Sequence, residues 1–406
     1  MMPIASLADR PVATLDITEA SRRSWDCLVV GAGPAGAVAA RQLALRGHST
    51  LLVERARLPR WKACGCCLNH AALETLDRIG LRAPIESLAQ SRLRRWRLAT
   101  PYGHSECAMP TGLALSRASF DAALVSEALA AGSEYLDATT ASVSHKIAEG
   151  WRVRLQTGNG RADVVASVLV AADGLKSPLL SKLGTFESEV QANSWIGAAA
   201  TVHRGERAFA DLSPDTVYMT CGRDGYVGMV VLESDQIEIA AAVNPHALGR
   251  WGTVQALITE IVTEADGPCC DALAGIGFRG TPRLSRRRRR IAAERLFLIG
   301  DACGYTEPFT GEGMAWALTS GLLVGPLVAQ ALRRWDPSLI PQWHALYHQR
   351  IRKRQRLGRL LTRSLRYRSC TKIMTAVLNR QPRLAASFMR RINAPFDLQP
   401  VFAEAR

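Results

Sequence analysis

The run Gly31-Ala32-Gly33-Pro34-Ala35-Gly36 constrains this chain more than any other segment. It comes after an apolar, strand-type run from Trp25 to Val30 and leads into Ala37 to Leu45, which is rich in helix formers. A second strand-type run, Ser49 to Val53, then closes on Glu54 and Arg55. Strand, glycine turn, helix and a strand ending in an acid make up the βαβ unit that holds a dinucleotide. Gly31 permits the tight turn, Gly33 lets a pyrophosphate approach backbone N–H groups, and Gly36 allows the helix to pack closely on the sheet. The helix start at Pro34 and Ala35 adds a partial positive charge that suits phosphate. Glu54, 18 residues after Gly36, is placed to accept hydrogen bonds from an adenosine ribose.

This unit serves NAD and FAD equally, so the choice between them rests on two further motifs. These are Leu169-Val170-Ala171-Ala172-Asp173-Gly174-Leu175-Lys176-Ser177 and Leu298-Ile299-Gly300-Asp301-Ala302, the latter succeeded by Pro308 and Gly311-Glu312-Gly313-Met314. With the three motifs in this order, spanning roughly Asp26 to Leu332, the sequence resembles the FAD-dependent oxidoreductases of the p-hydroxybenzoate hydroxylase and geranylgeranyl reductase superfamily. The resemblance implies that Asp301 hydrogen-bonds a ribityl hydroxyl and that Asp173 and Gly174 pack near the pyrophosphate. It also implies that the Gly311–Met314 turn offers helix-start amides to the N1–C2=O edge of the flavin, where the reduced ring gathers negative charge. Arg117, in Leu115-Ser116-Arg117-x-x-Phe120-Asp121, matches a flavin-contacting arginine of the family. Its alternative is a surface residue ahead of a helix.

The segment Lys62-Ala63-Cys64-Gly65 is similar to the reductase branch of that superfamily, where a lysine-x-cysteine-glycine-glycine run lies over the isoalloxazine face. Cys66 stands here in place of the second glycine. Cys64 is therefore a candidate flavin-side thiol, and Lys62 a candidate partner of flavin or substrate. Small side chains filling a tight loop are the competing explanation. Cys64, Cys66, Cys67 and His70 have the composition of a metal knot, but adjacent cysteines do not readily face one ion, so no metal is expected. A single dinucleotide fingerprint implies that NAD(P)H, or another reductant, delivers electrons transiently.

The expected fold class is α/β, a Rossmann-like FAD-binding domain with an inserted β-rich substrate domain and a helical C-terminal cap. The 406 residues are apportioned to an N-terminal extension (1–24, mobile or loosely docked), FAD-domain parts (25–100, 119–190 and 286–335), substrate-domain strands (101–118), the β-rich substrate domain (191–285) and a basic helical region (336–406). Helices are expected from Ala71 to Ile79 and from Phe120 to Ala131, the second capped by Ser119. Val227 to Leu232 and Ile237 to Val243 are expected to be hairpin arms joined around Ser234 and Asp235. Tyr218, Tyr226 and Met229, with Met219, are candidates for an apolar substrate pocket. Gly313 to Leu332 has no charge over 20 positions, but its glycines, polar residues and Pro326 point to a buried helix broken near the proline rather than a membrane span.

Composition excludes a disordered or disulfide-stapled class, and the adjacent cysteine pairs suit reduced thiols in a cytoplasmic setting. The start of the chain lacks the order of a signal peptide. The net charge of +15 is unevenly spread: Pro337 to Phe396 holds 14 Lys or Arg and no acid, and Arg286 to Arg290 forms a second knot. Leu357, Leu360, Leu361 and Leu365 share a helical face there, so docking on an anionic membrane or an acidic carrier protein is expected, against the alternative of a solvated face. Nucleic acid is not expected, since no recognition motif accompanies the charge.

Two reactions compete. A flavin hydroperoxide could hydroxylate an aromatic or polyketide-like substrate, or reduced flavin could saturate an alkene or prenyl chain. A flavin-containing binding protein docked by its basic tail is the rival of another class. Halogenation is disfavoured, because the tryptophan-x-tryptophan-x-isoleucine signature is absent.

Overall fold

The computed structural model describes residues 10–398 except 182, 206 and 308. Pro308, expected at the cofactor, thus lies outside the described residues, as do 1–9 and 399–406. Strand Ser24–Val30 lies at the centre of a mainly parallel sheet, between Thr50–Val53 and Gly160–Ala171, with Leu296–Leu298 and Glu134–Leu136 beyond them. These strands are buried on both faces and accordingly read as continuous apolar runs. An antiparallel extension, Thr140–Ile147 and Gly150–Thr157, hangs from Gly160–Ala171. Residues 14–23 are docked, contrary to the loose extension expected. Asp16 caps the short helix Ile17–Ser21, Ala20 is buried, and the Trp25 indole donates to the Ala20 carbonyl at 3.0 Å.

Helix Pro34–Ala44 covers this sheet and is crossed by the long helix Gly313–Arg333. The crossing is close because Gly321 has no side chain: a Cβ there would lie 2.3 Å from the Ala35 carbonyl oxygen. The break expected at Pro326 does not occur, and the helix runs through it. An interior proline costs about 3 kcal/mol. Buried Leu318, Leu322, Leu323, Val324 and Val328 contribute roughly 1.5–3 kcal/mol each, so packing outweighs the defect. This is the one described helix apolar enough to cross a membrane, and 78% of its apolar window is buried inside the protein.

The second sheet runs in the spatial order Arg279–Arg283, Ile196–His203, Gln236–Val243, Gly225–Val231, Thr216–Gly222, Arg92–Thr100, Gly103–Ala114, Cys67–Leu68. Strand Arg92–Thr100 pairs in parallel with Thr216–Gly222 and antiparallel with Gly103–Ala114. It therefore belongs to the substrate sheet, not to the first FAD-domain part (25–100) to which sequence assigned it. Alternation gives this sheet two faces. The far face carries Tyr218, Val227, Met229, Ile237 and Ile239 against helix Val254–Glu264. The near face carries Trp96, Leu98, Trp195, Met219, Tyr226, Val230, Leu232 and Ala242, packed with Cys66, Phe309, Leu365 and Met389.

The C-terminal helices Lys353–Ser364, Arg368–Arg380 and Pro382–Ile392 come last, and the final two pack on strand Gly103–Ala114. Helix Lys353–Ser364 buries Gln355, Gly358 and Thr362. Its expected leucine face is divided, with Leu357 and Leu360 exposed, Leu361 half-buried and Leu365 buried against the substrate sheet. The Arg286–Arg290 knot is partly structural: Arg286–Arg288 is a short strand, and buried Arg288 donates to the Phe186 carbonyl.

Candidate active site

The three glycines of the fingerprint differ in what surrounds them. Gly31 sits at φ +105°, and a Cβ there would lie 2.4 Å from the Ala172 carbonyl oxygen. At Gly36 a Cβ would lie 1.8 Å from the Gly31 carbonyl oxygen. Both are demanded by the protein's own packing. Gly33 is not: a Cβ there would meet only an Arg117 nitrogen, at an ordinary 3.6 Å. The space in front of Gly33 is a cradle that a side chain would fill. The helix behind it begins with Gly33 as N-cap and Pro34 at its start, and no side chain caps it among the described residues. Its free amides are left for an anion.

Glu54 is buried, and its carboxylate accepts from the Ala32 amide at 2.8 Å and the Ala56 amide at 3.2 Å. It thereby shapes the glycine turn. Arg55 is exposed. The cation that does reach this cleft is Arg60, which sequence reasoning missed; it stands 3.6 Å from Glu54 and 3.2 Å from Asp121. Arg117 opens helix Arg117–Ala130 and is capped by Ser116, not Ser119. It is a buried residue rather than a surface one, and it grips Asp121 with two hydrogen bonds of 2.8 and 2.7 Å.

Lys62 enters the same cleft. Its Nζ lies 3.9 Å from the Cβ position of Gly174 and faces Arg117 and Asp301. Burial, reinforced by the Arg117 charge, lowers its affinity for a proton. Asp173 departs from expectation, because its carboxylate is spent on protein groups: it accepts from Ser177 Oγ at 2.7 Å and from the Leu179 amide at 2.8 Å. Only its backbone, pressed against Gly31, borders the fingerprint. Gly300, at φ +57°, lies against the Ala35 side chain, and its amide donates to Ser320 Oγ at 2.8 Å. This brings Asp301 to the same cleft.

Helix Gly313–Arg333 also starts without a side-chain cap among the described residues, leaving the Gly313 and Met314 amides free. Glu312 is turned away from them. It is buried, accepts from Thr310 Oγ1 at 2.7 Å, and desolvation pushes its carboxyl up to about 7. At Gly311, φ +71°, an added Cβ would lie 3.6 Å from the Cys67 Cβ. Two uncapped helix starts, the cradle at Gly33, and Glu54, Arg60, Lys62, Arg117 and Asp301 along one cleft fit an FAD: pyrophosphate at the first helix start, ring edge at the second.

The cysteine loop closes over this cleft from the substrate sheet. Cys64 Sγ accepts from the Cys66 amide at 3.4 Å. Hydrogen bonding from Cys66 holds the Cys64 thiol well below the ordinary range against the opposing effect of burial, and Arg117 adds its charge. The Cys66 thiol is pushed up in turn by that bond and by burial. Cys64 is therefore the member of the pair with the greater thiolate character.

Beneath the loop, the near face of the substrate sheet has a floor of small residues. Ala199, Ala240 and Gly228 are aligned across three strands, and Gly228 and Ala240 remain partly exposed in mid-sheet. An aromatic wall bounds one side: Tyr226 packs on Phe309 at 5.1 Å and Trp195 at 6.0 Å, and Phe309 on Trp96 at 6.2 Å. Of the pocket candidates, only Tyr226 and Met219 face this space. Tyr218 and Met229 lie on the far face, in the core under helix Val254–Glu264, because neighbouring strand residues alternate sides. A cavity of about 340 Å³ opens on the other side, bordered by Trp61, Lys62, Cys66, Arg117, Thr201 and Glu238 among others. Glu238, which sequence reasoning missed, is buried; desolvation pushes its carboxyl up to about 8, with the Cys64 and Glu233 charges reinforcing it and the Thr201 hydrogen bond opposing it.

A family profile described as an FAD binding domain matches residues 24–356. Menaquinone reductase of Mycobacterium tuberculosis is 28% identical over 338 residues, covering 78% of this chain and 80% of that one. Digeranylgeranylglycerophospholipid reductase 1 of Methanothermobacter thermautotrophicus is 25% identical over 321 residues, covering 77% of this chain and 78% of its own. Among solved structures, a flavin-dependent brominase superposes with a TM-score of 0.78 at 17% identity, covering 94% of this chain and 98% of its own. That last likeness is one of fold.

Proposed function

The chain belongs to the FAD binding domain family and is an FAD-dependent oxidoreductase, and on that premise we propose that it reduces a carbon–carbon double bond in the isoprenoid chain of a lipid or quinone. The observation that carries the reading is that the two relatives described above, each aligned over more than three quarters of this chain, are named as reductases. The compounds in their names share a long isoprenoid chain. The site supports it: small apolar residues, Ala199, Ala240 and Gly228, lie on the sheet face that also packs Cys66, next to the 340 Å³ cavity. Bound FAD, once reduced, supplies the hydride. Arg60 and Arg117 would hold and orient the cofactor, Asp301 would anchor its sugar-alcohol, and the Cys64 thiol would lie on the cofactor's side of its loop. With a single fingerprint in the chain, the reductant is a transient visitor, NAD(P)H or a separate electron donor.

The test is anaerobic incubation of dithionite-reduced protein with menaquinone, then mass analysis. The expected product gains two hydrogens in the isoprenoid chain, and a chain left untouched at full flavin reduction contradicts the reading. Hydroxylation is the second reading, favoured by the aromatic wall of Trp96, Phe309, Tyr226 and Trp195, which suits a planar ring. Mixing reduced protein with oxygen separates the two, since only a hydroxylase is expected to accumulate a long-lived hydroperoxide spectrum.

Such a substrate resides in a bilayer, and the C-terminal helices are built to meet one. Leu360, Tyr367, Ile373 and Leu384 are 63%, 65%, 63% and 58% exposed, on the segment with 14 positive charges and no acid. Each Lys or Arg near an anionic surface contributes about 1 kcal/mol. Sedimentation with phosphatidylglycerol vesicles is expected at low salt, falling as salt shortens the screening length to about 8 Å. Equal affinity for neutral and anionic vesicles, or capture only by an acidic carrier protein, contradicts a lipid partner.

A further inference from the structure

Glu238 lies mid-strand in Gln236–Val243, opposite Thr201 on one neighbouring strand and Val230 on the other. It is 2% exposed and borders the 340 Å³ cavity together with Lys62, Cys66 and Arg117. Its two oxygens are unlike. Oε2 accepts from Thr201 Oγ1 at 2.6 Å. Oε1 is buried with no hydrogen-bond partner among the described residues. An ionised carboxylate left in this way forfeits most of its solvation, with nothing to replace it.

The direction of the hydrogen bonds fixes where a proton sits. The Trp61 indole can only donate, and it donates to Thr201 Oγ1 at 3.0 Å. Thr201 in turn directs its single hydroxyl proton to Glu238 Oε2, which acts as acceptor. A proton on Glu238 belongs on Oε1, the oxygen left free.

We propose that Glu238 is the acid of this site, a neutral carboxyl group whose Oε1 proton is delivered to the substrate. The proposal rests on the double-bond reading above. In the step, the π bond breaks and two C–H bonds form. One carbon takes a hydride from the reduced cofactor, which is oxidised, and the other takes the proton from Oε1. The alkene is reduced by two electrons, and Glu238 is left as a carboxylate until solvent returns a proton. The groups around it set its balance: Cys64 and Glu233 favour the protonated acid, while Arg117, paired with Asp121, and Lys62, whose own proton affinity burial lowers, border the same cavity.

The test has a spectroscopic and a kinetic arm. Infrared difference spectra of FAD-loaded protein at pH 7, wild type against Glu238→Gln, are expected to show the carbonyl stretch of one protonated carboxyl, shifted in heavy water. Thr201→Val is expected to move that band, because Oε2 loses its donor; this variant serves if the glutamine variant does not fold. In single turnovers with menaquinone, Glu238→Gln is expected to bind FAD and accept electrons from dithionite as wild type does, while product formation falls about 100-fold or more. Glu238→Asp recovers part of it. A carboxylate signature at pH 7, or unchanged single turnover in Glu238→Gln, overturns the proposal. A wild-type protein inert towards menaquinone contradicts the double-bond reading instead, and the infrared arm still decides whether Oε1 carries a proton.

Discussion

Gly33→Val is expected to fold with nearly wild-type stability and to hold no FAD, whereas Gly36→Val is expected not to fold. Sequence treats these residues as equal members of one motif, but their surroundings separate them. At Gly36 a new Cβ would lie 1.8 Å from the Gly31 carbonyl oxygen and 3.0 Å from the Ala172 side chain. Helix and sheet must part, at a cost of about 3 kcal/mol or more. At Gly33 the backbone has φ −77°, which any residue adopts, and the nearest atom to a new Cβ is an arginine nitrogen at 3.6 Å. The protein loses little there, within about 1 kcal/mol. The cofactor loses its close approach to the helix amides, and affinity is expected to fall at least about 100-fold, equivalent to roughly 2.8 kcal/mol. Guanidinium denaturation and FAD titration by fluorescence quenching read the two effects separately. Equal loss of stability in both variants contradicts the assignment of Gly33 to the ligand.

Arg117→Met carries the next largest effect. Asp121 is fully buried and receives both of its hydrogen bonds from Arg117. Removing one member of such a pair costs about 3–5 kcal/mol, and the lower end applies here because Arg60 remains 3.2 Å from Asp121. Cys64 is expected to lose part of its thiolate character as well, since Arg117 is one of the groups that hold its proton affinity down. The double variant Arg117→Met, Asp121→Leu is expected to recover most of the stability without recovering FAD affinity. A single variant less than about 1 kcal/mol below wild type in urea denaturation would mean that the pair is effectively solvated.

The cofactor half of the site was legible because glycine and acid identities carry a steric or charge requirement that few contexts impose. Gly31, Gly36 and Glu54 are written that way. The substrate half was less legible, because Thr216–Gly222 and Gly225–Val231 are buried on both faces, and sequence alone does not say which parity looks inward. Tyr218 and Met229 were assigned to the wrong side for that reason, while Tyr226 was not. Glu238 left a faint signal: one acid between Ile237 and Ile239, on a strand face that is polar at Gln236 and then continues into Ala240 and Ala242. Arg60 left none, because an arginine in a loop resembles any solvated cation until the fold brings Asp121 beside it. The outward leucines of Lys353–Ser364 show the same limit. A helical face can be found by periodicity, but whether it meets the core or the solvent depends on what the rest of the chain covers.

The central claim is that one cleft, from Gly33 past Arg117 and Asp301 to the Gly313 helix start, holds FAD. Flavin released from purified protein by heat, identified by chromatography and mass, tests it most directly. The account predicts a yellow protein that releases stoichiometric FAD, with Asp301→Ala folded but depleted of it. Release of FMN in place of FAD, or a folded wild-type protein that takes up no FAD when the cofactor is supplied in excess, would contradict it.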